Sequence, residues 1–185
     1  MKKIMVDMDD VIVDQAGWMH IINTFLNANY TIDDVNGYYI QDIVPKDKMD
    51  EYTKYFITQN TYDYCNLNEG CFEVLEKLNK KYDVYVFSAY VFRDDLLYSA
   101  SALKYKFEYL HKNLPFLDPK KFIFTNDKSI VKADIKIDDI PSNLTNADTK
   151  LLFTCWHNKN INDKELLKKN IKRVNSWKDI EKILL

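Results

Sequence analysis

Asp7 and Asp9 stand two residues apart in Val6-Asp7-Met8-Asp9-Asp10-Val11, directly after the apolar run Lys3 to Val6. Other polar groups follow later β-branched or aromatic runs in the same way: Ser88 after Asp83 to Phe87, Thr125-Asn126-Asp127-Lys128 after Lys121 to Phe124, and Asp138-Asp139 after Asp134 to Ile137. Carboxylates gathered without basic neighbours repel one another, and a hard cation relieves the repulsion. Magnesium fits, because it takes oxygen ligands and uses one or two carboxylates together with water and substrate phosphate. A phosphate completes the set, since its oxygens share the cation, accept a hydrogen bond from the Ser88 hydroxyl and are neutralised by Lys128. Asp7 can then attack phosphorus and form an aspartyl-phosphate. Asp9 can act as acid for the leaving alkoxide and as base for the hydrolytic water.

This chemistry requires a scaffold that collects distant strand ends on one edge. The four runs, together with Leu151 to Thr154 and a sixth at Ile171 to Val174, read as buried strands. Helical patterns separate them: Glu69 to Lys80 with Phe72, Leu75 and Leu78 on one stripe, and Asp94 to Asn113 with Leu97, Ala100, Leu103, Phe107 and Leu110. Such alternation predicts an α/β fold, a doubly wound Rossmann-like parallel sheet with right-handed crossovers, and ligands that bind beyond the carboxyl ends of its strands. About seventy residues separate the first strand from the Asp83 strand, more than one crossover needs, with helical stretches at Trp18 to Asn27 and Lys46 to Gln59. Residues 15–68 are therefore expected to form a small helical cap over a core of 1–14 and 69–185. The lysine-rich helices Asp163 to Lys169 and Ser176 to Leu184 are expected as solvated outer faces, with Ser176 as an N-cap.

The chain has 185 residues, 26 lysines and arginines against 28 aspartates and glutamates, so it lacks the basic field of a nonspecific nucleic-acid binder. A small diffusible substrate is expected instead. Three cysteines without metal-ligand spacing and no apolar stretch near ~20 residues point to a reduced cytoplasmic protein. Only three glycines occur, which rules out glycine-rich phosphate loops.

The four motifs, in this order and context across roughly the whole chain, resemble those of the haloacid dehalogenase-like superfamily. Within it, the Asp7-Met8-Asp9 core, the Asp127-Lys128-Ser129 run and the step from Lys128 to Ile137-Asp138-Asp139 resemble the 5'(3')-deoxyribonucleotidases. The resemblance implies a magnesium-dependent phosphatase acting on a small phosphorylated substrate, a deoxyribonucleoside monophosphate. It makes Asp7 the nucleophile and Asp9 the acid and base. It makes Ser88, with Ala89 beside it, and Lys128 the phosphate ligands. It assigns the metal to Asp7, Asp138 and the Asp9 main-chain carbonyl, and Asp139 fits either beside the metal water or in a turn. The chain departs from the family pattern at three places: Asp10 stands where glycine is usual, Gln15 where an aromatic faces the base, and Asn126 where an arginine precedes Asp-Lys.

Among the aromatics of the insertion, Trp18, Phe25, Tyr38, Tyr39, Tyr62 and Tyr64, most are expected in the core, and Trp18 is the candidate substrate contact. Cys155 and His157 suggest a nucleophilic thiol with its base, but they sit two apart after a strand with no orienting partner in the sequence, so Cys155 is read as buried or incidental, and His20 and His111 as structural or surface residues. Two other readings stay open. One is a phosphatase for a different small phosphometabolite; the other is a silent phosphate-sensing module, whose signature would be loss of the nucleophile, acid/base or lysine.

Overall fold

A computed structural model describes residues 1–92 and 96–185. Its centre is a six-stranded sheet, all parallel, formed by β1 (Lys3–Asp7), β2 (Asp83–Ser88), β3 (Phe122–Phe124), β4 (Ala133–Asp138), β5 (Ala147–Phe153) and β6 (Ile171–Val174). The spatial order is β3-β2-β1-β4-β5-β6, so the chain winds outward from β1 on one side and returns beside it as β4. The reversal of direction lies between β1 and β4, where open α/β sheets form their ligand crevice. Register then decides which residues border it. Val6 pairs with Ile137 and Asp7 with Phe87, so Asp7, Asp138 and Ser88 all emerge at the same carboxyl edge.

Alternation along β1 sends Ile4 and Val6 to one face and Met5 to the other. The main core joins Ile4 and Val6 to Leu75 and Leu78 of α3 (Cys71–Lys81), Leu110 of α4 (Leu96–Asn113), and Trp177 and Ile180 of α6 (Trp177–Leu184). The opposite face carries Leu152 and Ile171 with Leu166 of α5 (Asp163–Lys168). Ser176 caps α6 by accepting from the Asp179 N–H. That helix is not an outer face only, because Trp177, Ile180 and Leu184 are buried; its lysines occupy the other side of a strongly amphipathic turn pattern.

Three further expectations are corrected. On α4 the buried stripe is Tyr98, Ala102, Lys106, Tyr109 and Leu110, whereas Ala100 and Phe107 are exposed. The helix is thus rotated by about one residue from the leucine and phenylalanine stripe, because its first half packs on the insertion and not on the sheet. The start of this helix, expected at Asp94, and the Leu97 side chain lie outside the described residues. On α3 Phe72 is partly exposed, edge-on to Phe116, and Cys71 and Val74 take its place in the core. β5 begins at Ala147, earlier than Leu151, because Ala147 and Thr149 pair with Ala133 and Ile135 although their side chains are only half-buried.

The residues between β1 and α3 contain α1 (Ala16–Leu26), α2 (Met49–Phe56) and short 3-10 turns. The expected Lys46 to Gln59 helix is a 3-10 turn over Lys46–Lys48 followed by α2. A second core forms here from Met19, Ile22, Ile40, Val44, Tyr52 and Phe56, closed by Tyr98 and Ala102 of α4.

Candidate active site

The turn after β1 is tight. Ile12 and Val13 both donate to the Met8 carbonyl, and the buried Trp177 indole donates to the Val11 carbonyl at 2.9 Å. Asn68 adds a bond to the same carbonyl. This closure forces Asp10 to φ 62°, the left-handed region where glycine is the default. Asp7, Asp9 and Asp10 consequently border one cavity of about 340 Å³, joined on its lining by Lys128 and Asp139.

Lys128, at the head of a short 3-10 turn capped by Asp127, is buried and bridges two strands. Its Nζ lies 2.6 Å from Asp7 Oδ2 and 3.0 Å from Asp138 Oδ2. These two carboxylates hold its ammonium above the ordinary lysine range despite desolvation. Burial lifts the Asp7 carboxyl to about 6, against the pull of Lys128. Asp7 therefore remains ionised at neutral pH, the form a nucleophile needs.

Asp138 and Asp139 have different surroundings. Asp138 Oδ2 is bound to Lys128, and its Oδ1 accepts from the Ile140 N–H and the Asn143 amide. It is the turn former of the pair and does not line the cavity. Asp139 does line it, beside Asp7, with its carboxyl raised by burial and by Asp7. Together Asp7, Asp138 and Asp139 place oxygen donors within 4.8 Å of one another, a set whose hardness and charge suit magnesium.

Ser88 is fully buried, and Ala89, not Ser88, lines the cavity. The Ser88 hydroxyl instead accepts from Lys106 Nζ at 2.8 Å. Lys106, 3 % exposed, also donates to Asp9 Oδ2 at 2.5 Å, while Tyr62 donates to Asp9 Oδ1 at 2.8 Å. Lys106 escaped the sequence reading because a helical lysine ordinarily faces water; the one signal was its spacing of four from both Ala102 and Leu110. Lys136, buried within β4, was likewise passed over. Its Nζ donates to the Lys128 and Asn143 carbonyls and so fixes the backbone on either side of the site.

Of the six aromatics, Tyr62 and Phe25 pack inward, but Tyr38 is 49 % and Tyr39 56 % exposed, and Tyr64 is exposed against His20. The expectation of core positions fails for these three, which follow the helical spacing of no α-helix. Trp18, Tyr38 and Tyr39 line the Asp7 cavity. Trp18, Tyr39 and Gln41 also border a second, adjoining cavity of about 740 Å³, lined further by Tyr52, Phe56 and Phe92. Gln15 lines the first cavity and bonds Asp10, whereas Asn126 accepts from the Tyr90 and Val91 N–H groups and pins the loop after β2. His157 has a partner that the sequence does not show: its Nε2 lies 2.7 Å from Asp139 Oδ2.

The family described as "5' nucleotidase, deoxy (Pyrimidine), cytosolic type C protein" matches over residues 1–185. A 5'(3')-deoxyribonucleotidase of Bacillus subtilis is 34% identical over 197 residues, covering 100% of both chains. Among solved structures, a haloacid dehalogenase-like hydrolase from Streptococcus pneumoniae superposes with a TM-score of 0.57 at 14% identity, covering 100% of this chain and 99% of its own. A Bacillus subtilis protein of the HAD-hydrolase type, solved bound to magnesium, gives 0.56 at 12% identity over 100% and 98%. At such identity the structural likeness concerns the fold.

Proposed function

Because the chain belongs to the cytosolic type C family of deoxy (pyrimidine) 5' nucleotidases, and is a HAD-type phosphatase of the nucleotidase kind, we propose that it hydrolyses deoxyribonucleoside monophosphates through a phosphoryl group carried on Asp7. The observation that carries this reading is the 2.6 Å pair of Asp7 and Lys128 in a cavity that Trp18, Tyr38 and Tyr39 also line. An anion-binding lysine beside an ionised nucleophile suits a phosphate, and Trp18, Tyr38 and Tyr39 suit the flat ring face of a nucleobase on the leaving group. The adjoining 740 Å³ space gives room that a phosphate or a triose would not fill.

In the first half-reaction an Asp7 carboxylate oxygen bonds to phosphorus as the bond from phosphorus to the ester oxygen breaks. Asp9 delivers a proton to the departing alkoxide. Both Asp9 oxygens accept a hydrogen bond, from Lys106 and from Tyr62, and each keeps a further lone pair to face the substrate. In the second half-reaction Asp9 takes a proton from water, the new oxygen bonds to phosphorus, and Asp7 leaves as a carboxylate. Lys128 and the main chain at Ala89 hold the phosphoryl oxygens, with Ser88 keeping Lys106 in place. Asp7, Asp138 and Asp139, together with the Asp9 carbonyl, would hold the magnesium ion, and Asp138 also anchors Lys128 from behind. When bound, the ion supplies charge neutralisation at the phosphoryl oxygens. Residues 15–68 serve as the cap that excludes bulk water.

Phosphate release from a panel of nucleoside 5'- and 3'-monophosphates and sugar phosphates, with magnesium and with chelator, tests the reading. Deoxyribonucleotides should lead, chelation should abolish turnover, and Asp7→Asn should lower it by ~10³-fold or more with the fold intact. Faster turnover of sugar phosphates would overturn the substrate class, and turnover by Asp7→Asn would overturn the covalent step.

A further inference from the structure

Four donors of three chemical kinds meet beside the Asp7 cavity. Asp10 comes from the turn after β1, Asp139 from the end of β4, and Cys155 and His157 from the loop after β5. One ligand atom from each lies within 4.8 Å of all the others. His157 Nε2 is 2.7 Å from Asp139 Oδ2 and 3.8 Å from Asp10 Oδ2.

The charges here are not balanced as they are elsewhere in the site. Lys128 answers Asp7 and Asp138, and Lys106 answers Asp9. Among the described residues, Asp10 and Asp139 pair with no lysine or arginine; His157 is the one basic side chain in reach. Two carboxylates, an imidazole and a thiol thus face one another with no lysine or arginine among the described residues to answer them. The loop is also built to hold its donors still. The buried Asn158 amide donates to the Asp139 and Phe153 carbonyls and to Cys155 Sγ, and its Oδ1 accepts from the Cys155 N–H.

We propose that Asp10, Asp139, Cys155 and His157 form a second metal site for a borderline-soft divalent cation such as Zn²⁺, sharing Asp139 with the magnesium site. Tetrahedral zinc takes nitrogen, sulfur and oxygen ligands at about 2.0 to 2.3 Å, which sets neighbouring ligand atoms roughly 3.3 to 3.8 Å apart. The donors, none farther than 4.8 Å from another, need to close by about 1 Å, while the 2.7 Å contact between His157 and Asp139 opens as the cation enters. Magnesium would not compete well, because the imidazole and thiolate are poor ligands for a hard ion. Binding releases the Cys155 thiol proton to solvent and leaves a thiolate on the metal. Asp10 is essential to this set, and the glycine usual at its position would supply no donor.

The test is equilibrium dialysis of the full chain against Zn²⁺ or Co²⁺ in excess Mg²⁺, followed by absorption spectroscopy of the cobalt form. One equivalent should be retained, with a thiolate-to-cobalt charge-transfer band in the near ultraviolet. Cys155→Ser should remove the band, and Cys155→Ser and His157→Gln should each weaken binding by at least about tenfold. Circular dichroism checks that each variant is folded, and either variant alone decides the matter if the other is not. No retained metal, or a charge-transfer band that survives in Cys155→Ser, would overturn the proposal. Neither readout depends on phosphate release, so the outcome stands apart from the catalytic reading.

Discussion

The phenolic hydroxyl of Tyr62, in the segment between β1 and α3, donates a 2.8 Å hydrogen bond to Asp9 Oδ1 at the end of β1. The ring is held edge-on against Trp18 at 5.5 Å and packs on Tyr109. A residue of the segment between β1 and α3 thereby touches Asp9 directly, so under the proposed mechanism the position of that segment and proton transfer at Asp9 are linked. Tyr62→Phe keeps the packing and removes only the donor. Water can reach the half-exposed Asp9 in its place, so the loss should be about 1 kcal/mol, roughly fivefold in kcat, with KM little changed. Steady-state kinetics on one nucleotide substrate would check this, and an unchanged kcat would leave the contact without function.

Lys106 makes the stronger claim on Asp9. Its ammonium bonds both Asp9 and Ser88 from the buried face of α4, where it is the one buried charged residue among the described residues of the helix. Lys106→Met retains the stem and removes the charge, leaving an Asp9 oxygen and the buried Ser88 hydroxyl without their donor. Loss of a preorganised donor of this kind should lower kcat/KM by about 10²-fold. Far-ultraviolet circular dichroism should be unchanged. Lys106→Arg should not rescue, since a planar fork cannot replace a point donor in a closed space.

The positions of these two residues mark the limit of what the sequence discloses. Strand ends were readable because each apolar run stops at a polar group, and parallel pairing then brings Asp7, Ser88 and Asp138 to one edge whatever the loops do. Lys106 and Lys136 were hidden for the opposite reason: their value lies in which tertiary neighbours bury them, and a lysine carries no sign of that locally. His157 was hidden similarly, since its partner Asp139 lies 18 residues away on another strand end. Tyr38 and Tyr39 lie in irregular chain, where periodicity has nothing to say about facing.

Asp10 gives a pH prediction. Burial raises its carboxyl to about 7, far above the value near 3.9 of an unfolded chain. The native state therefore binds this proton more tightly, so stability falls as pH rises from about 4 to 7 and the full cost is present above 7. Asp10→Gly removes that cost and also suits φ 62°. In metal-free buffer the gain should be small at pH 4, about 1 kcal/mol or less from the backbone. By pH 8 it should grow by on the order of 2 kcal/mol. Urea melts at the two pH values would check it; a gain that shrinks with pH would show the carboxylate to be stabilised by its surroundings.

Gly17 tests how closely the insertion is seated. A Cβ there would lie 2.1 Å from the Thr61 carbonyl oxygen and 2.7 Å from Cys65 Sγ, one backbone and one buried side chain, neither free to retreat. Gly17→Ala must therefore push α1 away from the turn that carries Tyr62. Overpacking of this kind costs about 1 to 3 kcal/mol, a fall in Tm of several degrees for a domain of this size. Displacing Thr61 also draws the Tyr62 hydroxyl off Asp9, so kcat should fall in the same direction as in Tyr62→Phe. The two changes act through one hydrogen bond. In the double variant their effects on kcat should be less than additive, while the Tm loss from Gly17→Ala stays in full. Full additivity in kcat would mean that the glycine governs substrate access and not the placing of Tyr62.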